Sequence, residues 1–314
     1  MPVSGGADPL VGSFYPDTSV REDVSQIIYQ PTPEDTPVYD ITGNGVAQSP
    51  FHTWLTRTIA GRQGNANFEG FTYVFTGAMT YPDARKFNTC QILDKLVRVS
   101  ESEVAAKHWA IDDAFADQMS IAMSEVKMDA EHNMIQGTLT SGVTSSARRM
   151  QGILNAIISG ITTYSNVTAA ASLTETMFND SIDLAWNLGG HPSDVFCGSY
   201  MKRKVSAFVG AASSVRNLDQ ANTTIVNTVS VYQTDFFTAQ MHLCRDIPRQ
   251  AVPSGYTGYG IAFLDKTTIN KMWLRPWIAE KAPKTADAYD GVIKGEFTIE
   301  WGHVFFHAYR AQYL

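Results

Sequence analysis

Residues 100–137, SESEVAAKHWAIDDAFADQMSIAMSEVKMDAEHNMIQG, read as one long helix. Val104, His108, Ile111, Phe115, Met119, Ala122, Val126, Ala130 and Met134 recur every three or four positions and form one apolar face. Ser100 followed by Glu103 fits a capping box, and Gly137 is a natural stop. At about 1.5 Å per residue the helix would extend about 50 Å. That is long for a compact domain of this size, so the segment reads as a spine on which other pieces lie. His108 and His132 fall on it as fillers rather than ligands.

Upstream, residues 51–99 read as a β-excursion. Phe71, Tyr73 and Phe75 alternate with Thr72 and Val74, the period of a strand, and Gly61, Gly64, Gly70 and Gly77 mark turns. Residues 91–99, with Ile92, Leu96, Val97 and Val99, are expected to return alongside as the second arm of a hairpin. An isolated hairpin is marginal in water, so this one needs a neighbour. Residues 1–50 read as an arm. Pro9, Pro16, Pro31, Pro33 and Pro37 interrupt it, yet Phe14, Tyr15, Ile27, Ile28 and Tyr29 give it apolar weight.

Downstream, residues 138–264 read as an α/β unit. Ser172 and Glu175 suggest a second capping box, opening a helix that ends at Gly189-Gly190. A short strand near 194–198, a helix near 201–209 and paired strands at 223–232 and 236–244 follow. Residues 265–314 are β-rich, with Phe297, Ile299 and Trp301 alternating along the last pair of strands.

The totals exclude several classes of function. The 314 residues suffice for a sizeable core, with 44% hydrophobic and 18% charged residues. A net charge of −7 argues against a dedicated nucleic-acid reader, whose surface is basic. The short basic clusters Arg148-Arg149 and Lys202-Arg203-Lys204 read as solvated faces or helix-end charges, and for Arg148-Arg149 an intersubunit or salt-bridge role is favoured over a local contact with DNA. Cys90, Cys197 and Cys244 are odd in number and lack C-x-x-C spacing, so they are expected to be inert thiols in a reducing compartment. No apolar run reaches the length of a membrane span, and residues 1–12 lack the pattern of a secretory signal.

Motifs for chemistry are missing as well. The sequence holds no phosphate loop, no dinucleotide-binding glycine turn, no H-E-x-x-H and no G-x-S-x-G. His303 and His307 lie four apart on what reads as a strand and are expected to be core or surface residues. No catalytic, cofactor-binding or metal-binding residue is expected, nor any cofactor. An α/β enzyme with an unrecognised site stays open as the alternative of a different class.

The order of parts, together with short stretches along the chain, resembles a known family. The stretch from Arg21-Glu22-Asp23-Val24 to Thr36-Pro37 is similar to the opening of a group of phage major capsid proteins. Similar too are Ala147-Arg148-Arg149-Met150-Gln151-Gly152, Leu173-Thr174-Glu175 with Phe178-Asn179-Asp180, Ala185-Trp186 with Gly189-Gly190, Tyr232-Gln233-Thr234-Asp235-Phe236, and Leu274-Arg275-Pro276. Ala286 and Phe237 stand where that group commonly has glycine. The resemblance runs from about Arg21 to the end. It implies an α+β Hong Kong 97-type phage capsid fold. The parts would be an N-terminal arm (1–50), an extended β-hairpin (51–99), the spine helix of a peripheral domain (100–137), an axial domain (138–264) and peripheral return strands (265–314).

The resemblance also implies a function. Copies would self-assemble into the hexamers and pentamers of an icosahedral shell around double-stranded DNA, assembled in a bacterial host cytoplasm and retained in the virion. Partners would be the chain itself, loosely held DNA, and possible scaffold, portal and decoration or cement proteins, with no membrane. The subunit interface is expected at Phe51, Trp54, Phe71, Tyr73 and Phe75 on the hairpin and at Ile27 and Tyr29 on the arm. An encapsulin-like compartment or another virion structural protein is the alternative within the same class.

Overall fold

The computed structural model describes residues 32–59, 61–62, 64, 66–72, 83–108, 110–144, 146–160, 173–212, 230–247, 249–251, 257–284 and 286–313. The chain first forms a short helix, α1 (Pro37–Ile41), and a strand, β1 (Gly43–Val46). Next come β2 (Phe51–Thr56), β3 (Ala84–Thr89) and β4 (Gln91–Ser100). Helices α2 (Glu101–Ala105), α3 (Ala114–Gln136), α4 (Ile153–Gly160) and α5 (Glu175–Asn187) lead to β5 (Asp194–Cys197) and α6 (Ser199–Ala212). The remaining strands are β6 (Val231–Gln233), β7 (Thr238–Leu243), β8 (Arg249–Ala251), β9 (Thr257–Leu264), β10 (Asn270–Lys281), β11 (Ala288–Glu300) and β12 (Ala308–Tyr313).

Among the described residues these strands make three sheets. A four-stranded sheet has the order β1-β10-β11-β4, and a second has the order β12-β9-β5-β7-β6 with β8 on β9. The third is the two-stranded ribbon β2-β3. The first sheet carries α3 on one face, where Ala130, Met134 and Ile135 meet Leu93, Phe297 and Ile299 in one buried cluster. Gly291 eases the close approach there, because a Cβ at that position would stand 2.5 Å from Met119 Sδ and the methionine side chain would have to shift. In the second sheet, β5 is buried along its whole length, parallel to β7 and antiparallel to β9. Phe178 and Ile182 of α5 and Met201 and Val205 of α6 complete its core.

Five expectations are corrected. The spine is broken: Ser100 does accept from Glu103 N–H, but the helix it opens has five residues. The His108 ring then bonds the Glu103 carbonyl, Ala110 adopts φ +61°, and the long helix starts only after Asp113. The Asp113 carboxylate accepts from the amides of Phe115 and Ala116, which makes it a strong N-cap. The 23 residues of α3 span about 35 Å.

The hairpin pairing also differs. β4 is a strand of the large sheet, paired with β11 from Ser100↔Ala288 to Gln91↔Phe297. The partner of β2 is β3, in register from Phe51↔Thr89 to Thr56↔Ala84. The arm is shorter than residues 1–50, because Val38 is buried and β1 is an integral edge of the sheet. The cap of α5 is Thr174, which accepts from Met177 N–H, while Ser172 lies outside the described residues.

The last strand leaves its sequence neighbours. Residues 304–306 form a 3-10 turn, and β12 crosses to the second sheet, pairing Ala308 with Phe263. Buried Tyr309 anchors it there. One core cluster accordingly contains Phe297 and Ile299 of the first sheet and Phe196, Ala262 and Tyr309 of the second.

Candidate assembly surface

The ribbon β2-β3 has two unlike faces. Alternation along β2 exposes Phe51, Thr53 and Leu55 and half-buries His52, Trp54 and Thr56. The inner face is seated on its own chain. The Trp54 ring meets the Trp301 ring edge-on at 5.0 Å, and its indole N–H donates to the Gly302 carbonyl at 2.7 Å. His52 stacks beside Trp54 and lies 2.7 Å from the Glu300 carboxylate. The base is pinned by buried Asn88, whose amide donates to the carbonyls of Ile299 and Gln151 and whose oxygen accepts from the amides of Thr89 and Gln151.

The outer face has no such seat. Leu55 is 64% exposed, and Phe51 and Phe87 are each close to half exposed. Register places Phe87 directly opposite Thr53, so it stands on the same face between Phe51 and Leu55. Beyond the ribbon, Ile59 and Phe68 are still more exposed, and Phe71 packs edge-on to Phe68. Below it, Phe51 joins Ile92, Val143 and Arg148 around an open groove of about 480 Å³. Leu96, 75% exposed, continues this apolar band along β4. Contiguous exposed apolar area of this kind marks a surface meant to be covered.

The expected interface residues divide accordingly. Phe51 and Phe71 are exposed on the ribbon and its extension. Trp54 belongs to the inner face and is committed to Trp301. Tyr73, Phe75, Ile27 and Tyr29 lie outside the described residues. Sequence reasoning missed Leu55, Phe87, Ile92 and Val143, which are scattered singly and gather only through strand register. It also missed a pair away from the ribbon, where the exposed rings of Trp186, on α5, and Phe236, between β6 and β7, lie 5.3 Å apart.

The charged groups near these surfaces serve to hold the chain together. Glu296, 4% exposed, binds Arg148 at 2.8 Å and Arg275 at 2.8 Å, one on each oxygen. Arg148 thus takes a salt-bridge role. Lys95 of β4 bridges Glu125 and Asp129 of α3, which raise its pKa. Arg57 clasps Asp83 across the ribbon's open end and holds that carboxyl below its usual range.

The clusters that could be mistaken for catalytic ones are structural. Buried Asp194 accepts from His242, Ser193 and Lys266; burial pushes its pKa up, but these partners together hold it below the ordinary value. Ser193 and His242 bond to the carboxylate and not to each other, so no nucleophile–base relay forms. The three thiols are buried and free, and burial raises the pKa of each, to about 11 for Cys90 and Cys197. Among the described residues no group of three or more His, Cys, Asp or Glu side chains could hold a metal ion. Nor is any helix among them long and apolar enough to cross a membrane.

Comparison with known proteins bears on what covers the apolar band. The profile of a family described as SU10 major capsid protein matches residues 11–309. A curated relative, the major capsid protein of Escherichia phage Phieco32, is 28% identical over 138 residues, 44% of this chain and 39% of the relative's length. Among solved structures, the capsid of Myoviridae Phage XM1 superposes with a TM-score of 0.61 at 12% identity, over 93% of this chain and 96% of that one. The holo-SrpI encapsulin complex from Synechococcus elongatus PCC 7942 gives 0.55 at 8% identity, over 93% and 91%.

Proposed function

Because this chain belongs to the SU10 major capsid protein family, with the Hong Kong 97-type fold, we propose that its work is assembly: copies close into hexamers and pentamers of an icosahedral shell. The observation that carries the reading is the two-faced ribbon. Its inner face is fixed to its own core through Trp54 and Asn88, while its outer face presents Phe51, Leu55 and Phe87 to solvent. Apolar area of this kind gains about 25 cal/mol per Å² when a neighbour covers it, before ordering losses. The exposed pair Trp186 and Phe236 gives the subunit a further, unlike surface, and closed rings are built by joining unlike surfaces.

The shell encloses double-stranded DNA, in the virion and after assembly in the host cytoplasm. A net charge of −7 suits a container that holds DNA loosely, since a strongly basic wall would bind phosphate tightly. Scaffold, portal and decoration proteins are its natural partners. An encapsulin-like compartment is the second reading. The encapsulin likeness supports the fold it shares with the phage shells and carries no argument about cargo.

Negative-stain microscopy of the purified chain, paired with sedimentation, tests the proposal. Closed shells, capsomer rings or tubes are the expected products. A chain that stays monomeric at high concentration and in crowding agent, with a cooperative melt, would overturn it.

A further inference from the structure

The four-stranded sheet has two unlike edges. On one side β1 covers β10 over four residues, from Gly43↔Asn270 to Val46↔Trp273. Beyond it β10 is interrupted by register shifts between Trp273 and Ile278, and Pro276 has no amide hydrogen to give. Bulges and proline blunt an edge. The other edge is β4. It runs ten residues, contains no proline and pairs with β11 without a register shift from Gln91 to Ser100. Alternate residues of such a strand turn their N–H and C=O away from the partner. Among the described residues no other strand takes up that outer row between Leu93 and Val99. An edge of this kind is a template for one more strand.

The side chains of β4 say which strand fits. Ile92, Asp94, Leu96 and Arg98 share one face and are exposed. Leu93 and Val99 are buried on the other, where Lys95 reaches α3. Leu96 stands midway between Asp94 and Arg98. Two copies of β4 laid antiparallel about Leu96 therefore set each Leu96 against the other, and each Asp94 against the second copy's Arg98. A centre at Asp94 or Lys95 would instead set a charge against its own copy, and one at Val97 would lose both ion pairs. Strand β11 extends the match. Lys294 stands opposite Asp94, and Asp290 stands opposite Arg98 and is gripped by it through two nitrogens. The row across four strands then runs Lys294, Asp94, and Arg98 and Asp290 of the second copy, alternating in sign. Between two such rows lies an apolar one, where Val292 and Leu96 meet the same pair from the second copy.

We propose that the free edge of β4 pairs with β4 of a second copy, antiparallel and two-fold about Leu96, joining the two four-stranded sheets into one. The contact is isologous, so it closes on two copies and cannot propagate a ring of five or six. In the shell it links one ring to the next, a setting that rests on the assembly reading above. It also accounts for Leu96, an apolar side chain 75% exposed in the middle of a regular strand.

A cysteine scan of the full chain at high concentration, under mild oxidation, tests this on a non-reducing gel. Leu96→Cys puts a thiol on the axis, about 5 Å from its own copy between Cβ atoms. Ile92→Cys, on the same face, lies about 27 Å from its copy, the length of eight extended residues. The wild-type chain reads any reaction of the native, buried thiols. The interchain disulfide is expected to form at least tenfold faster in Leu96→Cys than in Ile92→Cys. Equal rates, a faster Ile92→Cys, or no interchain disulfide in Leu96→Cys would each overturn the pairing. Sedimentation of the same samples separates it from the assembly reading. Rings or shells without the Leu96→Cys disulfide overturn the pairing and leave assembly standing. A cross-linked pair that grows no further supports the pairing and counts against assembly.

Discussion

The guanidinium of Arg148 lies 2.8 Å from the carboxylate of Glu296, on the oxygen that Arg275 leaves free. Glu296 sits on β11 with its side chain 4% exposed, while Arg148 comes from the loop before α4 and Arg275 from β10. A buried carboxylate of this kind tolerates the loss of one partner but not of both. Arg148→Ala and Arg275→Ala are each expected to cost roughly 1 kcal/mol in urea unfolding of the subunit. The double variant strands the charge and is expected to cost about 3–5 kcal/mol. Additive single effects would mean that the two arginines act independently.

The ribbon should separate folding from assembly. Trp54→Ala removes the edge-on contact with Trp301 and the bond to the Gly302 carbonyl, so it is expected to destabilise the subunit by about 2–4 kcal/mol. Leu55→Ser and Phe87→Ser lie on the opposite face and should leave subunit stability within about 0.5 kcal/mol. They should, however, shift sedimentation from assembled to free subunits. If Phe87→Ser assembles at the wild-type concentration, the outer face is not a contact.

The contrast between Phe51 and Trp54 shows what the sequence could and could not give. They differ by three positions, so the period of a strand alone puts them on opposite faces. Density of aromatics, the signal used to group them, ignores that parity. The strands at 91–100 and 288–300 were legible because they alternate over many residues. Their pairing with each other was not, because it joins residues more than a hundred positions apart, such as Ser100 and Ala288. The break in the spine was hidden for a different reason. His108 and Ile111 keep the helical spacing that links Val104 to Phe115 although they lie between the two helices, and only the capping power of Asp113 marked the true start. Phe87 and Val143 carry no signal at all as isolated apolar residues among polar ones.

Glu131 should make stability fall as pH rises. Burial pushes its pKa up to about 7 against an ordinary value of 4.5, although amide donors from Val38 and Tyr39 and the Cys244 thiol partly offset this. Between these values the folded chain binds more protons than the unfolded one. Stability from this group is full below about pH 4.5 and is lost as pH rises through about 7. Glu131→Gln keeps an acceptor for the α1 amides and removes the charge. It is expected to raise stability at pH 8 by on the order of 1–3 kcal/mol and to change little at pH 4.5. Denaturant titrations at the two pH values read the difference; a gain of the same size at both would assign it to packing.

His307 should act with the opposite sign. It is fully enclosed at the turn that sends β12 to the second sheet, accepting at Nδ1 from the Asp265 amide and donating from Nε2 to the Trp301 carbonyl. Burial lowers its pKa to about 4 from an ordinary 6.5, with the Trp301 carbonyl and Asp265 pulling weakly the other way. Here the unfolded chain binds more protons, so stability is full above about pH 6.5 and is lost as pH falls through about 4. Glu131 and His307 therefore oppose each other across nearly the same window, and the wild-type contribution of the pair should be almost flat between pH 4.5 and 6.5. Glu131→Gln alone should expose a limb that rises with pH, and His307→Gln alone a limb that falls. The double variant should be flat again, at lower stability if the glutamine cannot reproduce both bonds of the imidazole. A falling limb in Glu131→Gln would assign the acid response to other groups.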